Sequence, residues 1–294
     1  MIEYAASLRA GGGRAMTMEN AMSVLKSSAH RIAGSCVVAA FALNTAVAQP
    51  APAFEPKVGQ RGKDVVWVPT NQHLVDKMLD MAKVTASDYV IDLGSGDGRT
   101  VITAAKRGAT ARGIEYNPDM VALSKGNAEK EGVTGKATFE QADLFETDLS
   151  KATVVTMFLL PSINLKLRPK LLDLKPGTRI VSNSFDLGEW TADETASVKE
   201  DCMSHCTAYF WLVPAKVEGT WQTPQGELKL EQKYQNVTGT LSKGNVIAPV
   251  SGKLAGDAIV LTAAGVRYSG TVAGDVIAGK SNADGKDADW KATR

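Results

Sequence analysis

Residues 92–99, Asp-Leu-Gly-Ser-Gly-Asp-Gly-Arg, place an acid at the end of an apolar run and follow it with Gly94, Gly96 and Gly98 at every second position. Glycine is needed where a loop takes positive φ or where backbone must approach a bound molecule with no Cβ between them. The N–H groups that open a following helix are free to donate. The stretch reads as strand, tight loop and helix N-terminus: a loop built to hold something. Two anion-binding forms of such a loop do not fit. The dinucleotide fingerprint wants glycine or alanine where this chain has Arg99, and the phosphate loop closes on Gly-Lys-Ser/Thr where this one ends in Gly98-Arg99-Thr100. Taken alone, the loop also fits an ordinary strand-to-helix turn.

The elements around it alternate. Strands are expected at 89–93, 111–115, 137–140, 153–159 and 178–182, with helices at about 98–107, from 117–118 onward, and at 163–174 before Pro176-Gly177. A further helix at 71–82, capped by Thr70 or Asn71, precedes the first strand. Strands separated by helices imply a parallel sheet covered on both faces, with its ligand at the carboxyl ends of the strands. Acids stand at those ends in order: Asp92 after the first strand, Glu115 after the second and Asp143 after the third. Past the fifth strand only a short stretch precedes 196–199. This predicts a reduced sheet that ends in a hairpin with 208–213 as its last strand.

An acid followed by Gly-x-Gly-x-Gly resembles motif I of the class I S-adenosylmethionine (SAM)-dependent methyltransferases. More closely, residues 65–215 resemble the bacterial and mitochondrial lysine methyltransferases that include the ATP-synthase c-subunit enzyme. The resemblance is carried by residues 92–99, Gly113-Ile-Glu-Tyr-Asn-Pro118, Val155-Thr-Met-Phe-Leu-Leu-Pro161, Leu167-Arg-Pro-Lys-Leu171 and Gly177-Thr-Arg-Ile-Val-Ser182. It implies SAM as cofactor, held by Asp92, Gly94, Ser95, Gly96, Asp97 and Gly98. Glu115, with Tyr116 and Asn117, would take the ribose hydroxyls, and Asp143 the adenine amine with Leu144 against the ring. Thr70 and Trp67, on the segment that closes over the cofactor in this superfamily, are further candidates; a cap and a packed aromatic are their alternatives. The acceptor side carries Phe158, Leu160 and Pro161 instead of the Asn/Asp-Pro-Pro-Tyr/Phe of enzymes acting on planar amines, which argues against nucleobase acceptors.

A protein lysine is therefore the acceptor implied by the resemblance. It must arrive neutral, so its site should be apolar or hold a proton acceptor. Asp186 is the residue placed to accept or to anchor substrate, with a loop cap as its other reading, and no obligatory general base is evident. The three histidines, His30, His73 and His205, form no ligand set with neighbouring acids, so no metal is expected. A small-molecule acceptor, or an exported binding protein that keeps the fold without turnover, are the alternatives.

At 294 residues, 44% hydrophobic and net charge +1, the chain has no basic excess that would mark a nucleic-acid binder. Lys26 and Arg31 precede an apolar run that ends in Ala46-Val47-Ala48, the pattern of a secretory signal peptide. We expect residues 1–48 to be a leader cleaved after Ala48, and the mature protein to be exported. An uncleaved anchor would associate it with a membrane instead. Residues 49–64 read as linker. Cys202 and Cys206 suit a short-loop disulfide, half of a metal site or a buried reduced pair. From 216 to 294, alternating β-formers recur at about ten-residue spacing, which predicts a small antiparallel meander or barrel with no evident catalytic set. The fold class is thus α/β, a Rossmann-like methyltransferase sheet followed by a small all-β domain.

Overall fold

The computed structural model describes residues 54–294. The expected leader, with the start of the linker, lies outside them. The chain opens with α1 (Gln72–Met81), β1 (Tyr89–Leu93), α2 (Arg99–Lys106) and β2 (Thr110–Glu115). It continues through α3 (Pro118–Lys130), β3 (Ala137–Gln141), β4 (Val154–Met157), α4 (Pro161–Leu172), β5 (Arg179–Asn183), β6 (Glu194–Ser197) and β7 (Thr207–Leu212). Asn71 caps α1 by accepting from His73 N and Leu74 N. Pro118, at the first turn of α3, is preceded by Asn117, whose side chain accepts from Asp119 N.

The sheet order is β3-β2-β1-β4-β5-β7-β6. β1 to β5 are parallel, and β7 runs antiparallel to both of its neighbours. Alternate residues of β1 feed opposite cores: Val90 packs with α1, α2 and α3, whereas Ile91 and Leu93 pack with α4, Trp190 and Trp211. One expectation is corrected here. The sheet is not reduced, because β7 inserts between β5 and β6 to complete seven strands; only the β6–β7 pairing was foreseen. The connection 184–193 crosses without a helix, fastened by buried Leu187 and Trp190 and the bridge between them.

The remaining strands are β8 (Gly219–Thr223), β9 (Gly226–Lys233), β10 (Asn236–Lys243), β11 (Val246–Ala255), β12 (Ala258–Ala263), β13 (Val266–Ala273), β14 (Val276–Ala283) and β15 (Lys286–Thr293). They close into an antiparallel barrel. Two-residue turns such as Ala264–Gly265 and Asp284–Gly285, with positive φ at both positions, match the twist of the hairpins they join. β14 holds only Val276 and Ile277 as β-formers. Its centre is Ala278-Gly279-Lys280, and Gly279 is needed because a Cβ there would stand 1.9 Å from the Ser269 carbonyl oxygen.

The barrel docks on the 184–193 connection. Tyr234 stacks on Trp190 at 6.1 Å, and Gln235 Nε2 donates to the Thr191 carbonyl at 2.8 Å. Beneath them Trp211 is fully buried, and its Nε1 donates to the Trp190 carbonyl at 2.7 Å. Replacing that ring leaves a cavity and an unpaired carbonyl, so Trp211→Ala is expected to lose about 3–5 kcal/mol of stability in urea unfolding. A loss below about 1 kcal/mol would contradict this account of the packing.

Candidate active site

The site is built on strand register. Asp92 lies opposite Gly113 on β2 and Thr156 on β4. The three strands thus hold the carboxylate at 6% exposure, with Thr156 Oγ1 donating to its Oδ1 at 2.6 Å. Burial pushes the Asp92 carboxyl up to about 7. The Thr156 hydrogen bond opposes the shift, and the charges of Asp97 and Glu115 add to it. Among the described residues no lysine or arginine pairs with Asp92. The nearby Arg99 is committed to Asp97 at 2.5 Å and donates to the Thr70 carbonyl at 2.7 Å.

Gly94 and Gly96 take φ of 75° and 55° as the chain leaves β1, and at Gly96 a Cβ would stand 2.9 Å from Trp67 Nε1. Ser95 fits because β2 has glycine beside it: a Cβ on Gly113 would lie 2.5 Å from Ser95 Oγ. That hydroxyl is buried and has no partner in the chain. Glu115 braces the loop, its Oε2 accepting from Gly96 N at 3.0 Å and its Oε1 from Asn117 N at 2.9 Å. Each oxygen keeps a further acceptor position.

These residues line one cavity at the carboxyl ends of the strands, and of the sequence-derived candidates it brings together Trp67, Thr70, Asp92, Gly94, Ser95, Gly96, Asp97, Glu115, Tyr116, Asn117, Asp143, Leu144, Phe158 and Leu160. Three others fall outside it. Gly98 is the left-handed N-cap of α2, packed on Phe139 and Ser124, and so sets the helix and not the cavity wall. Pro161 is exposed in the first turn of α4. Asp186 is exposed too, and its Oδ1 accepts from Gly188 N at 3.0 Å, so it caps its own turn. No residue of the barrel lines the cavity.

Several lining residues escaped the sequence reading. Residues 59–67, partly assigned to the linker, instead fold into a turn that walls the cavity. It is held by Gly59 N to the Trp67 carbonyl and Trp67 N to the Gln60 carbonyl, both 2.8 Å. From this turn Lys63 reaches Asp143 Oδ2 at 2.5 Å and lies 4.7 Å above the Tyr116 ring. The Lys63 hydrogen bond, with that from Phe145 N, holds the Asp143 carboxyl below its ordinary value. Asp143 therefore meets the cavity already bound. Nothing in the sequence signalled Lys63. Phe185 and His205, which join Phe158 and Leu160 on the far wall, were visible only as a ring next to Asp186 and a histidine between two cysteines.

Comparison with known proteins decides the family. Residues 92–194 match the model of the ANTKMT methyltransferase domain. A protein-lysine N-methyltransferase of Saccharolobus islandicus (strain REY15A) is 46% identical over 152 residues, which are 51% of this chain and 94% of that relative. The chain belongs to this family of class I SAM-dependent methyltransferases. The human ATP-synthase c-subunit lysine N-methyltransferase is 34% identical over 163 residues, 55% of this chain and 66% of that protein. A crystal structure of an RNA methyltransferase from Salinibacter ruber in complex with S-adenosyl-L-homocysteine shares 47% identity, covering 51% of this chain and 96% of that one with a TM-score of 0.48.

The residues of this methyltransferase fit the cofactor of its family. The cradle is free of Cβ atoms at Gly94 and Gly96, a buried Ser95 hydroxyl lacks a partner, and the Asp92 carboxylate lacks a cation. Without ligand, Asp92 also sets a pH dependence of stability. Its folded value lies above the ordinary 3.8, so the folded chain binds the proton more tightly than the unfolded one between the two values. Stability then falls as pH rises from about 4 to about 7, and the full cost is present above that. Asp92→Asn keeps an oxygen for Thr156 and removes the slope. Melting temperatures between about pH 5 and about pH 8 should fall in the parent and stay flat in the variant; two parallel curves would rule this out.

Proposed function

We propose that this methyltransferase acts on a protein lysine, with the cofactor held across the loop 94–97 and the acceptor entering along the wall of Phe158 and Leu160. The observation that carries the cofactor half is the charge of the cavity. Asp92, Asp97 and Glu115 surround one glycine loop, and among the described residues only Asp97 has a cation bound to it. An anionic pyrophosphate would be repelled there, whereas SAM brings a sulfonium and an ammonium. When bound, SAM supplies a methyl group on a positively charged sulfur, and the transfer is an in-line displacement.

The protein's part is to bind, align and keep water out. Asp92 and the Ser95 hydroxyl suit the methionine end, Glu115 the ribose hydroxyls, and Asp143 with Leu144 the adenine. The acceptor side is apolar, which favours the neutral amine over the ammonium and so helps a lysine shed its proton before attack. The acceptor class is supported by the activities for which the two relatives are named, both lysine N-methyltransferases.

We further propose that the protein is exported, a reading supported by the bond between Cys202 and Cys206, since disulfides persist in oxidising compartments. Exposure of SAM-dependent chemistry to a compartment poor in SAM is the argument for the rival reading, an exported binding protein that retains the fold.

Calorimetric titration of SAM and S-adenosylhomocysteine into the full chain separates the two. Micromolar binding that weakens at least tenfold in Glu115→Ala is expected. Radiolabel should then pass from methyl-labelled SAM to lysine in a cell-envelope protein fraction. A folded chain that binds neither molecule would overturn the enzyme reading.

A further inference from the structure

The acceptor wall of the cavity ends in three rings from three separate stretches of chain. Phe158 follows β4, Phe185 follows β5 and His205 precedes β7. Ring centroids are 6.2 Å apart for the two phenylalanines, 5.1 Å for Phe158 and His205, and 5.9 Å for Phe185 and His205. Rings this close touch one another, so they form one continuous wall and not an open cage. The phenylalanines are half-buried and His205 is the exposed outer member.

His205 is held in place at some cost. Its φ is 57°, a region that side-chain-bearing residues enter reluctantly. The turn around it is closed by the Cys202–Cys206 disulfide, with Cα atoms 5.8 Å apart. Two polar ties join this turn to the cofactor side. Asn71, the cap of α1, donates from Nδ2 to the Asp201 carbonyl at 2.6 Å. His205 Nδ1 lies 3.3 Å from Ser184 Oγ, which donates to Asn183 Oδ1, and Asn183 Nδ2 in turn donates to Thr70 Oγ1 at 3.2 Å. A strained ring is thus pinned against two others that line the cavity.

Resting on the lysine reading above, we infer that the disulfide-closed turn 202–206 forms the outer wall of the acceptor site, with His205 an acceptor-binding residue beside Phe158 and Phe185. The chemistry matches a lysine side chain. Its four-carbon stem is apolar and packs along a ring wall, while ring faces attract the ammonium on its way in. The glycine loop 94–97 and Glu115, at the cofactor end, make no hydrogen bond to the turn, whose ties run to Asn71 and, through Ser184 and Asn183, to Thr70. Acceptor affinity therefore depends on the disulfide far more than cofactor affinity does.

The test uses the full chain saturated with S-adenosylhomocysteine and titrated with Nα-acetyl-lysine methylamide, read from the imidazole C–H signals by NMR. The chain has three histidines, and His205→Phe identifies the signal of interest. The His205 signal should shift saturably while that of His73 stays still. The double variant Cys202→Ser/Cys206→Ser should weaken the apparent Kd about tenfold, with S-adenosylhomocysteine affinity unchanged within about twofold. His205→Ala, followed by saturation transfer to the probe, should weaken it about fivefold. A stationary His205 signal up to about 100 mM probe, or equal affinities in parent and variants, overturns the inference while leaving the methyltransferase reading intact. Failure to bind S-adenosylhomocysteine would instead sink that underlying reading, and this inference with it.

Discussion

A carboxylate buried between three strands with a single hydroxyl as its partner is the constraint on which the rest of the site depends. Asp92 sits where β1 is flanked on both sides, so only Thr156 reaches it from within the sheet. An uncompensated buried charge of this kind is costly, and the fold tolerates it because the same position opens onto the cavity. The neighbouring acids sharpen the effect. Asp97 is paired with Arg99, but Glu115 spends its hydrogen bonds on backbone N–H groups and meets no cation among the described residues. The loop is therefore organised by anions whose missing counter-charge is that of a cationic ligand.

Arg99 has a second consequence. By bonding both Asp97 and the Thr70 carbonyl it ties the glycine loop to the segment that enters α1, and Asn183 ties the same Thr70 to the end of β5. Thr70 thus connects the cofactor side and the acceptor side. The turn 59–67 extends the same segment over the cavity, where Lys63 bridges toward Asp143. A cofactor entering here must come to terms with that ion pair, whose lysine is exposed and whose attraction is therefore screened by solvent.

Much of the sheet and half of the site were legible because both follow from local rules. Apolar runs ending in an acid locate β1, β2 and β3, and β1 was placed at its observed bounds. Glycines with positive φ locate the loop. What could not be read depends on contacts made far along the chain. Lys63 meets Asp143 across 80 residues, and no spacing rule links the two. The insertion of β7 between β5 and β6 is a matter of topology, since the hairpin pairing of β6 with β7 leaves open which of them faces β5. Asp186 follows a strand as Asp92 and Glu115 do, but its carboxylate is satisfied within its own turn, which is the loop-cap reading of that residue. The β-former pattern is interrupted in β14 because close packing at Gly279 leaves no room for a side chain.

The barrel supports the site although it lines none of the cavity. In an open sheet a helix would cover the crossing from β5 to β6, but residues 184–193 cross without one and carry Phe185 at their start. An irregular connection of that kind is held only as well as its buried side chains allow. Trp190 supplies the anchor on the sheet side, and Tyr234 and Gln235 of the barrel clamp it from outside. Lys253 adds an ion pair to Asp193 at 3.3 Å where the connection enters β6. A closed barrel suits the task because it has no free edge to pair elsewhere and presents its hairpin turns as rigid points of contact. The barrel thus does for this connection what a crossover helix would otherwise do, and it steadies from below the stretch that delivers Phe185 to the acceptor wall.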